Sequence, residues 1–459
     1  MIYLNNAATG FPKPPEVVEA VRVALTVPPH DARRAASSSV GPDPIEACRS
    51  SLADFFGISD AHRIAFASNA TDALNMAIFG LGLGLAGGHS RGVGHSPGVG
   101  RNPSLGRSLS LHTDTAHVIT TQADHNATLR PLRTLARDAH LELTIVPCDR
   151  TGRVSPNDID AAMRPNTRAV FLSHASNVTG VVQDLRKISA VTHAHGALLV
   201  VDAAQSAGSV EIDVEKTGID LLAFTGHKNL HGLQGVGGLY VREGVNLRPW
   251  RIGGTGIRSH EPYQPEEMPL RLEAGTLNTL GIISLKAGVD FIQSIGLEAI
   301  ARRKRALVDA LLDAIEAMPE IVVYGKPRRN VGSGGNSNSN SNSGSSDGSS
   351  GGSSIISSSH SDNHSDSDND NDNDNDRTMI ALNIEGIDPD QAGYILENVF
   401  SIIIRSGLHC APLIHEALGS SPAGCLRISP SYFTSDEEVE ATVEALKQLC
   451  RMRAEAKRR

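Results

Sequence analysis

The run DLLAFTGHKNLHG, Asp220–Gly232, is an apolar, strand-like segment that ends in a histidine–lysine pair among small and polar residues. A surface lysine needs no such setting. A lysine that must lose its proton and bond a carbonyl carbon needs a confined one. A second run of the same kind lies upstream: ALLVVDAAQSAG, Ala197–Gly208, whose apolar stretch is closed by Asp202. A carboxylate at the end of a buried strand must be paired, because leaving it unpaired is costly. The neighbouring sequence offers no partner, which points to a ligand.

Five more short runs share this character: RIAFAS, HVITT, LELTIVP, RAVFLSH and GVGGLYV. Between the runs lie segments of helical period, among them PPEVVEAVRVAL, ATDALNMAIFGL, LRPLRTLARDA and LRKISAVTHAHG. Alternating helices and continuous apolar strands predict an α/β fold, with a mostly parallel seven-stranded sheet covered by helices on both faces. Past Arg258 the pattern changes. A long helix (SLKAGVDFIQSIG running into LEAIARRKRALVDALLDAIEAM) leads to IVVYG, TMIALNIEG, IIIRSG, LRISPSYF and a final helix, SDEEVEATVEALKQLCRMRAEAKRR. Residues 15–258 are therefore read as a large domain and 259–459 as a smaller α+β domain. Residues 1–14 form a lead-in segment that packs on the smaller one. Two stretches stand apart: 84–114, rich in Gly, Ser and Arg, and 332–376, a Ser/Asn/Gly tract that becomes an Asn-Asp repeat. Neither has the apolar surface to offset its ordering entropy, so both read as disordered insertions.

The 459 residues are enough for two domains with sizeable cores. The formal charge of −9 comes largely from the acidic repeat Asp366–Asp376. The rest carries no basic stripe with interleaved aromatics, so no nucleic-acid partner is expected. Five scattered cysteines without a Cys-x-x-Cys pair read as neither a disulfide framework nor a zinc site, and no metal is expected. Free thiols, no signal-peptide pattern and no apolar run long enough for a bilayer predict a cytoplasmic protein that avoids membranes.

In open α/β sheets ligands sit beyond the carboxyl ends of the strands. Asn69-Ala70-Thr71-Asp72 follows RIAFAS and opens a helix, a place for a phosphate or simply an N-cap. His125 follows HVITT, Asn177 follows RAVFLSH, Asp202 follows ALLVV, and Lys228 follows the strand of the opening run. Each alone has a bland structural reading. Together they match what pyridoxal 5′-phosphate requires: a lysine for its aldehyde, an aspartate for its pyridine nitrogen, a helix N-terminus for its phosphate and a ring for its face.

The ordered series LNNAATGFPKP, SNATDALNMA, DHNA, SNVTG, VDAAQSAG, FTGHK, EAGTLNT, RSGLHCAP and LRISPSYF resembles the class V aminotransferase-fold enzymes. Within them it is most similar to the cysteine desulfurase and selenocysteine lyase branch. The resemblance implies fold type I of the pyridoxal-phosphate enzymes. It implies Lys228 as the Schiff-base lysine, Asp202 as the pyridinium partner and Gln205 as a hydrogen-bond donor to the ring's phenolic oxygen. His125 would stack on the ring and shuttle protons. Ala70, Thr71, Thr225 and His227 would hold the phosphate, and Thr276 would reach the phosphate of the other subunit, hence a homodimer. Asn177, Arg405 and Arg427 would bind substrate, Arg427 as a two-pronged partner of its carboxylate. The chain departs from the common pattern at Asn5, usually Asp, and at Asn69-Ala70, usually Gly-Thr.

Cys410 decides the chemistry. It stands in RSGLHCAP, where desulfurases of this family carry the cysteine that attacks the substrate sulfur as a thiolate. Arg405 and His409 are the nearby candidates to favour that thiolate. The implied reaction converts L-cysteine to L-alanine and leaves a persulfide on Cys410, for delivery to a sulfur-acceptor protein. Selenocysteine lysis, aminotransfer and epimerisation are the alternatives on the same fold. A non-enzymatic scaffold that keeps the cofactor would have lost Lys228, Asp202 or Arg427, and all three are present. A nucleotide-binding protein would carry a glycine-rich phosphate loop after its first strand, and FASNATDA is not one.

Overall fold

The computed structural model describes residues 1–28, 43–83, 115–139, 141–325 and 378–458; the two low-complexity insertions lie outside them. In chain order the strands are β1 (Ile2–Tyr3), β2 (Ile64–Ala67), β3 (Ala116–Thr121), β4 (Leu141–Val146), β5 (Thr167–Ser173), β6 (Leu198–Asp202), β7 (Leu221–Thr225), β8 (Gly237–Val241), β9 (Ile321–Tyr324), β10 (Ile380–Ile384), β11 (Ile402–Ile403) and β12 (Leu426–Ile428). The α-helices are α1 (Pro15–Ala24), α2 (Pro44–Phe56), α3 (Ala70–Gly80), α4 (Asn126–Asp138), α5 (Pro156–Ala162), α6 (Leu185–Ala194), α7 (Val214–Thr217), α8 (Thr279–Ile295), α9 (Leu297–Glu316), α10 (Pro389–Phe400), α11 (Pro412–Leu418) and α12 (Asp436–Arg458).

The seven apolar runs form a seven-stranded sheet in the order β2-β8-β7-β6-β5-β3-β4. It is parallel throughout except for β8, which runs antiparallel to both neighbours. Because side chains alternate along a strand, each run feeds two cores. Leu199, Val201, Leu222 and Phe224 join α2, α6 and α8 on one face. Val200, Leu221 and Ala223 join α3 and α4 on the other. That is why β6 and β7 read as unbroken apolar runs: neither face meets water there.

The second region holds an antiparallel sheet, β12-β10-β9, and a parallel pair, β1 with β11. Its core joins Leu4 to α9, α10 and α12. The segment expected as one long helix is two, α8 and α9, bent by 82°. The break falls at Gly296, whose φ of +89° ends one helix and starts the next. L side chains avoid that conformation and glycine does not. No single helix among the described residues is long and apolar enough to cross a membrane.

A buried ion pair fixes one connection that matters for the site. Arg49 of α2 meets Glu273 at 3.0 Å, and Glu273 also accepts the Phe66 N–H at 2.8 Å. The loop that leads to Thr276 is thereby tied to the edge strand β2.

Candidate active site

A cavity of about 410 Å³ lies at the carboxyl ends of β2, β3, β5, β6 and β7. Its wall gathers nine residues singled out from the sequence: Ala70, Thr71, His125, Asn177, Asp202, Gln205, Thr225, His227 and Lys228. Arg405, Cys410 and Arg427 belong to the loop and strand beside it. Thr276 is exposed on the loop before α8 and does not line this cavity.

Asn69 caps α3: its side chain accepts the Asp72 N–H at 2.9 Å, while the Asp72 carboxylate takes the Ser68 N–H at 2.8 Å. The cap reading is thus realised. It leaves the helix start, with Ala70 and the exposed Thr71, facing the cavity. The first N–H groups of a helix have no partner within it, and its dipole favours an anion there. The Thr225 hydroxyl, buried at the end of β7, has no partner.

His125 begins α4 and accepts the Ala127 N–H on Nδ1 at 3.0 Å. A nitrogen that accepts carries no proton, so the ring is the Nε2–H tautomer. Burial, with Lys228, Arg405 and Arg427 nearby, pushes its pKa down to about 4. The residue before it is one that sequence reading passed over. Asp124 is fully buried and accepts from the Thr120 hydroxyl at 2.6 Å, the Thr121 N–H at 2.7 Å and the Ser173 N–H at 2.5 Å. Its carboxylate pins the ends of β3 and β5 together.

Asp202 is buried, and burial raises its pKa above the usual carboxylate range. One oxygen accepts the Ala204 N–H at 2.9 Å, a local partner that the sequence reading did not foresee. Gln205 gives an Nε2 hydrogen to the Ala7 carbonyl at 2.9 Å, and its buried Oε1 has no partner. Its second N–H is the one left to serve a phenolic oxygen. Desolvation lowers Lys228 from 10.5 to about 8; Asp202 opposes the shift, while Arg427 and Arg405 add to it. About one such lysine in ten is neutral at pH 7, against fewer than one in a thousand for a free one.

The turn carrying Lys228 is clamped from three sides. Gly10 donates to the His227 carbonyl at 2.9 Å, and Lys13 reaches the same oxygen at 3.1 Å. A Cβ on Gly10 would come within 2.7 Å of the Lys228 carbonyl, and one on Gly208 within 2.4 Å of the Asn229 carbonyl. Asn229 donates to the Gln205 carbonyl at 2.6 Å and accepts from Lys304 Nζ at 3.0 Å. Lys304 is 6% exposed, and burial pushes it to about 8. Neither Asn229 nor Lys304 stands out in the sequence. The one available signal is a lysine on the apolar stripe of α9.

Cys410 is exposed, on the loop between β11 and α11. Its carbonyl accepts the Asn126 N–H at 2.8 Å, next to His125, and an Arg405 guanidinium N–H points to its Sγ at 3.6 Å. Arg405 is therefore beside the thiol, as expected. His409 is not: its ring turns inward, with Nε2 3.0 Å from the Cys425 carbonyl. His409 (φ 50°) and Cys410 (φ 60°) are consecutive non-glycine residues in the left-handed region, forming a strained corner at which His409 is buried and Cys410 exposed. Asn177 holds the corner by donating Nδ2 to the His409 carbonyl at 2.7 Å.

Arg427 is 1% exposed. It donates to the Asn177 carbonyl at 2.6 Å and to Asn5 Oδ1 at 3.2 Å, and its Nε has no partner. Both acceptors are neutral, and burial with Arg405 nearby lowers its pKa to about 9. A buried guanidinium with a free N–H and no anion suits an incoming carboxylate.

The donor set fits pyridoxal phosphate. A lowered-pKa amine, a buried carboxylate, an open helix start, an orphan hydroxyl and an orphan amide oxygen converge on one cavity of ligand size. The chain matches the aminotransferase class-V family model over residues 2–90, 104–336 and 363–442. It is 30% identical over 340 residues to a probable cysteine desulfurase of Methanothermobacter thermautotrophicus, covering 73% of each chain. It is 29% identical to a cysteine desulfurase of an Enterobacter species, covering 72% and 71%. The apo structure of a cysteine desulfurase from Thermococcus onnurineus superposes with a TM-score of 0.74 at 27% identity, over 98% of this chain and 94% of that one. The chain belongs to the aminotransferase class-V family of pyridoxal-phosphate enzymes.

Proposed function

We propose that the protein is a pyridoxal-phosphate-dependent cysteine desulfurase that releases L-alanine from L-cysteine and takes the sulfur as a persulfide on Cys410. The observation that carries this reading is the thiol itself. Cys410 is exposed, is hydrogen-bonded by Arg405, and is tethered through its carbonyl to the residue after His125, at the wall of the lysine cavity. Aminotransfer needs no thiol there. The relatives named above as cysteine desulfurases support the same reaction.

When bound, the cofactor supplies an electron sink that makes the substrate Cα–H acidic. The chain's residues do the rest. Lys228 Nζ is the amine that would hold the cofactor and then, once released, take the Cα proton. The start of α3, Thr71, Thr225 and His227 would hold the phosphate, and His227 is itself fixed by Thr9 at 3.0 Å. Asp202 would keep the pyridine nitrogen protonated, His125 would cover the ring, and Gln205 would bond its oxygen. Arg427 would bind the substrate carboxylate, with Asn177 holding both Arg427 and the Cys410 corner. The Cys410 sulfur would attack the substrate Sγ. The S–S bond forms as the Cβ–S bond breaks, and the three-carbon fragment, protonated, leaves as alanine.

Thr276 would complete the phosphate site of a second copy, making the enzyme a homodimer. A sulfur-acceptor protein would meet the exposed Cys410 loop. Free cysteines throughout favour a cytoplasmic setting. The test is product analysis with L-cysteine and a thiol reductant. Alanine and sulfide in equal amounts support the assignment; a keto acid in place of alanine contradicts it.

A further inference from the structure

Behind the Cys410 corner lies a buried cluster of two histidines and a cysteine. Cys425 directly precedes β12, His415 sits on α11 and His409 comes from the corner itself; they are 0%, 0% and 3% exposed. One donor atom from each lies within 4.8 Å of the others. The Cys425 Sγ is 3.4 Å from His409 Nε2, which donates to the Cys425 carbonyl and so leaves the His409 lone pair on Nδ1; the two imidazole rings are 5.7 Å apart. Two buried ring nitrogens, His409 Nδ1 and His415 Nε2, have no hydrogen-bond partner. Buried polar atoms of this kind are rare and call for an explanation.

The surroundings are those of a ligand set. His415 Nδ1 lies 2.7 Å from the Ser420 hydroxyl. Such a bond fixes the ring orientation and, when the hydroxyl accepts, leaves Nε2 as a lone pair, which is how outer partners set up metal-ligating histidines. Two imidazoles and one thiol, with no carboxylate, select a thiophilic d10 cation over magnesium or calcium.

We propose that His409, His415 and Cys425 form a binding site for one thiophilic d10 cation, Zn²⁺ or Cu⁺, beneath the Cys410 corner. On binding, the hydrated ion sheds water, the Cys425 thiol proton leaves to solvent, and the sulfur–metal bond forms with no change of oxidation state. Because His409 directly precedes Cys410, the bound ion would hold the strained corner from below and restrain the exposed thiol. The site stands apart from the desulfurase reading and does not depend on it.

The test is metal binding to the cofactor-loaded protein by competition with a colorimetric chelator, run separately with Zn²⁺ and with Cu⁺ under reducing conditions. Wild type, Cys425→Ser, His415→Gln and Cys410→Ser are compared, with thermal unfolding to show that each variant is folded. The expected result is one equivalent of at least one of the two ions on wild type and on Cys410→Ser, with binding about tenfold or more weaker in both triad variants. Bound metal should also slow alkylation of Cys410 in wild type and not in Cys425→Ser. Wild-type affinity for both ions in Cys425→Ser, or binding that disappears with Cys410→Ser, would overturn the proposal.

Discussion

Two buried aspartates on neighbouring strands show opposite designs. Asp220, just before β7 at the amino end of the sheet, is saturated. It accepts the Leu199 N–H at 2.7 Å, His193 Nε2 lies at 2.9 Å, and Arg242 meets its other oxygen at 2.9 Å. Asp202, at the carboxyl end of β6, has one backbone N–H and faces a cavity beside an amine that is itself poorly solvated. The first arrangement closes the fold. The second leaves polar groups unsatisfied and is stable only because the surrounding sheet over-determines it. Where a molecule leaves such groups open, a ligand is expected.

The largest effect that would sharpen this contrast is at Lys228. Replacement by Ala should lower turnover by about 10³-fold or more while the protein stays folded, because a general base and the cofactor's attachment vanish together. Borohydride should then fix no cofactor to the protein. In wild type, cofactor attachment should rise with pH to a plateau above about 8, since burial lowers the amine to that value and only the neutral form reacts. A midpoint near 10 would break the account of the cavity.

Asp202→Asn comes next, with turnover expected to fall by about 10²-fold. Stability should move the other way. Burial raises the folded-state pKa of Asp202, so the ionised carboxylate costs stability once the pH passes the ordinary aspartate value, and a neutral amide removes that cost. Urea unfolding at pH 7 should therefore show Asp202→Asn at least as stable as wild type. Asp220→Asn should do the reverse, losing about 1–2 kcal/mol by the same measurement. Its half-exposed partners His193 and Arg242 hold the loss to that range, and turnover per folded molecule should be unchanged. Equal behaviour of the two variants would break the comparison.

How much of this was legible follows from what kind of signal each residue leaves. The central strands of the large sheet were readable because burial on both faces forces unbroken apolar runs, and the edge strand β4, with Glu142 exposed, was readable from its alternating β-rich run. The residues at their ends then fell at the cavity without any knowledge of strand order. The antiparallel course of β8 and the 82° bend at Gly296 were not readable, since neither alters local composition. Asn229 and Lys304 escaped because their partners lie on other elements, and Asp124 because its bond to the Ser173 N–H crosses to β5. The direction of the His409 ring escaped because distance along the chain does not set which way a side chain points.

Lys304 offers the smallest effect. If it only steadies Asn229 and the Lys228 turn, Lys304→Met should change turnover a few-fold. It should leave the pH midpoint of cofactor attachment at the wild-type value, since the charges that act on Lys228 are Asp202, Arg427, Arg405 and Cys410; a shifted midpoint would mark Lys304 as acting on the amine itself.

The most direct test of the central claim compares wild type with Cys410→Ala on L-cysteine, following alanine release and the visible absorbance of the lysine-bound cofactor. The account predicts that the variant keeps the absorbance and loses turnover, and that wild type denied reductant carries one extra sulfur on the Cys410 peptide. Alanine release by Cys410→Ala at the wild-type rate would contradict it.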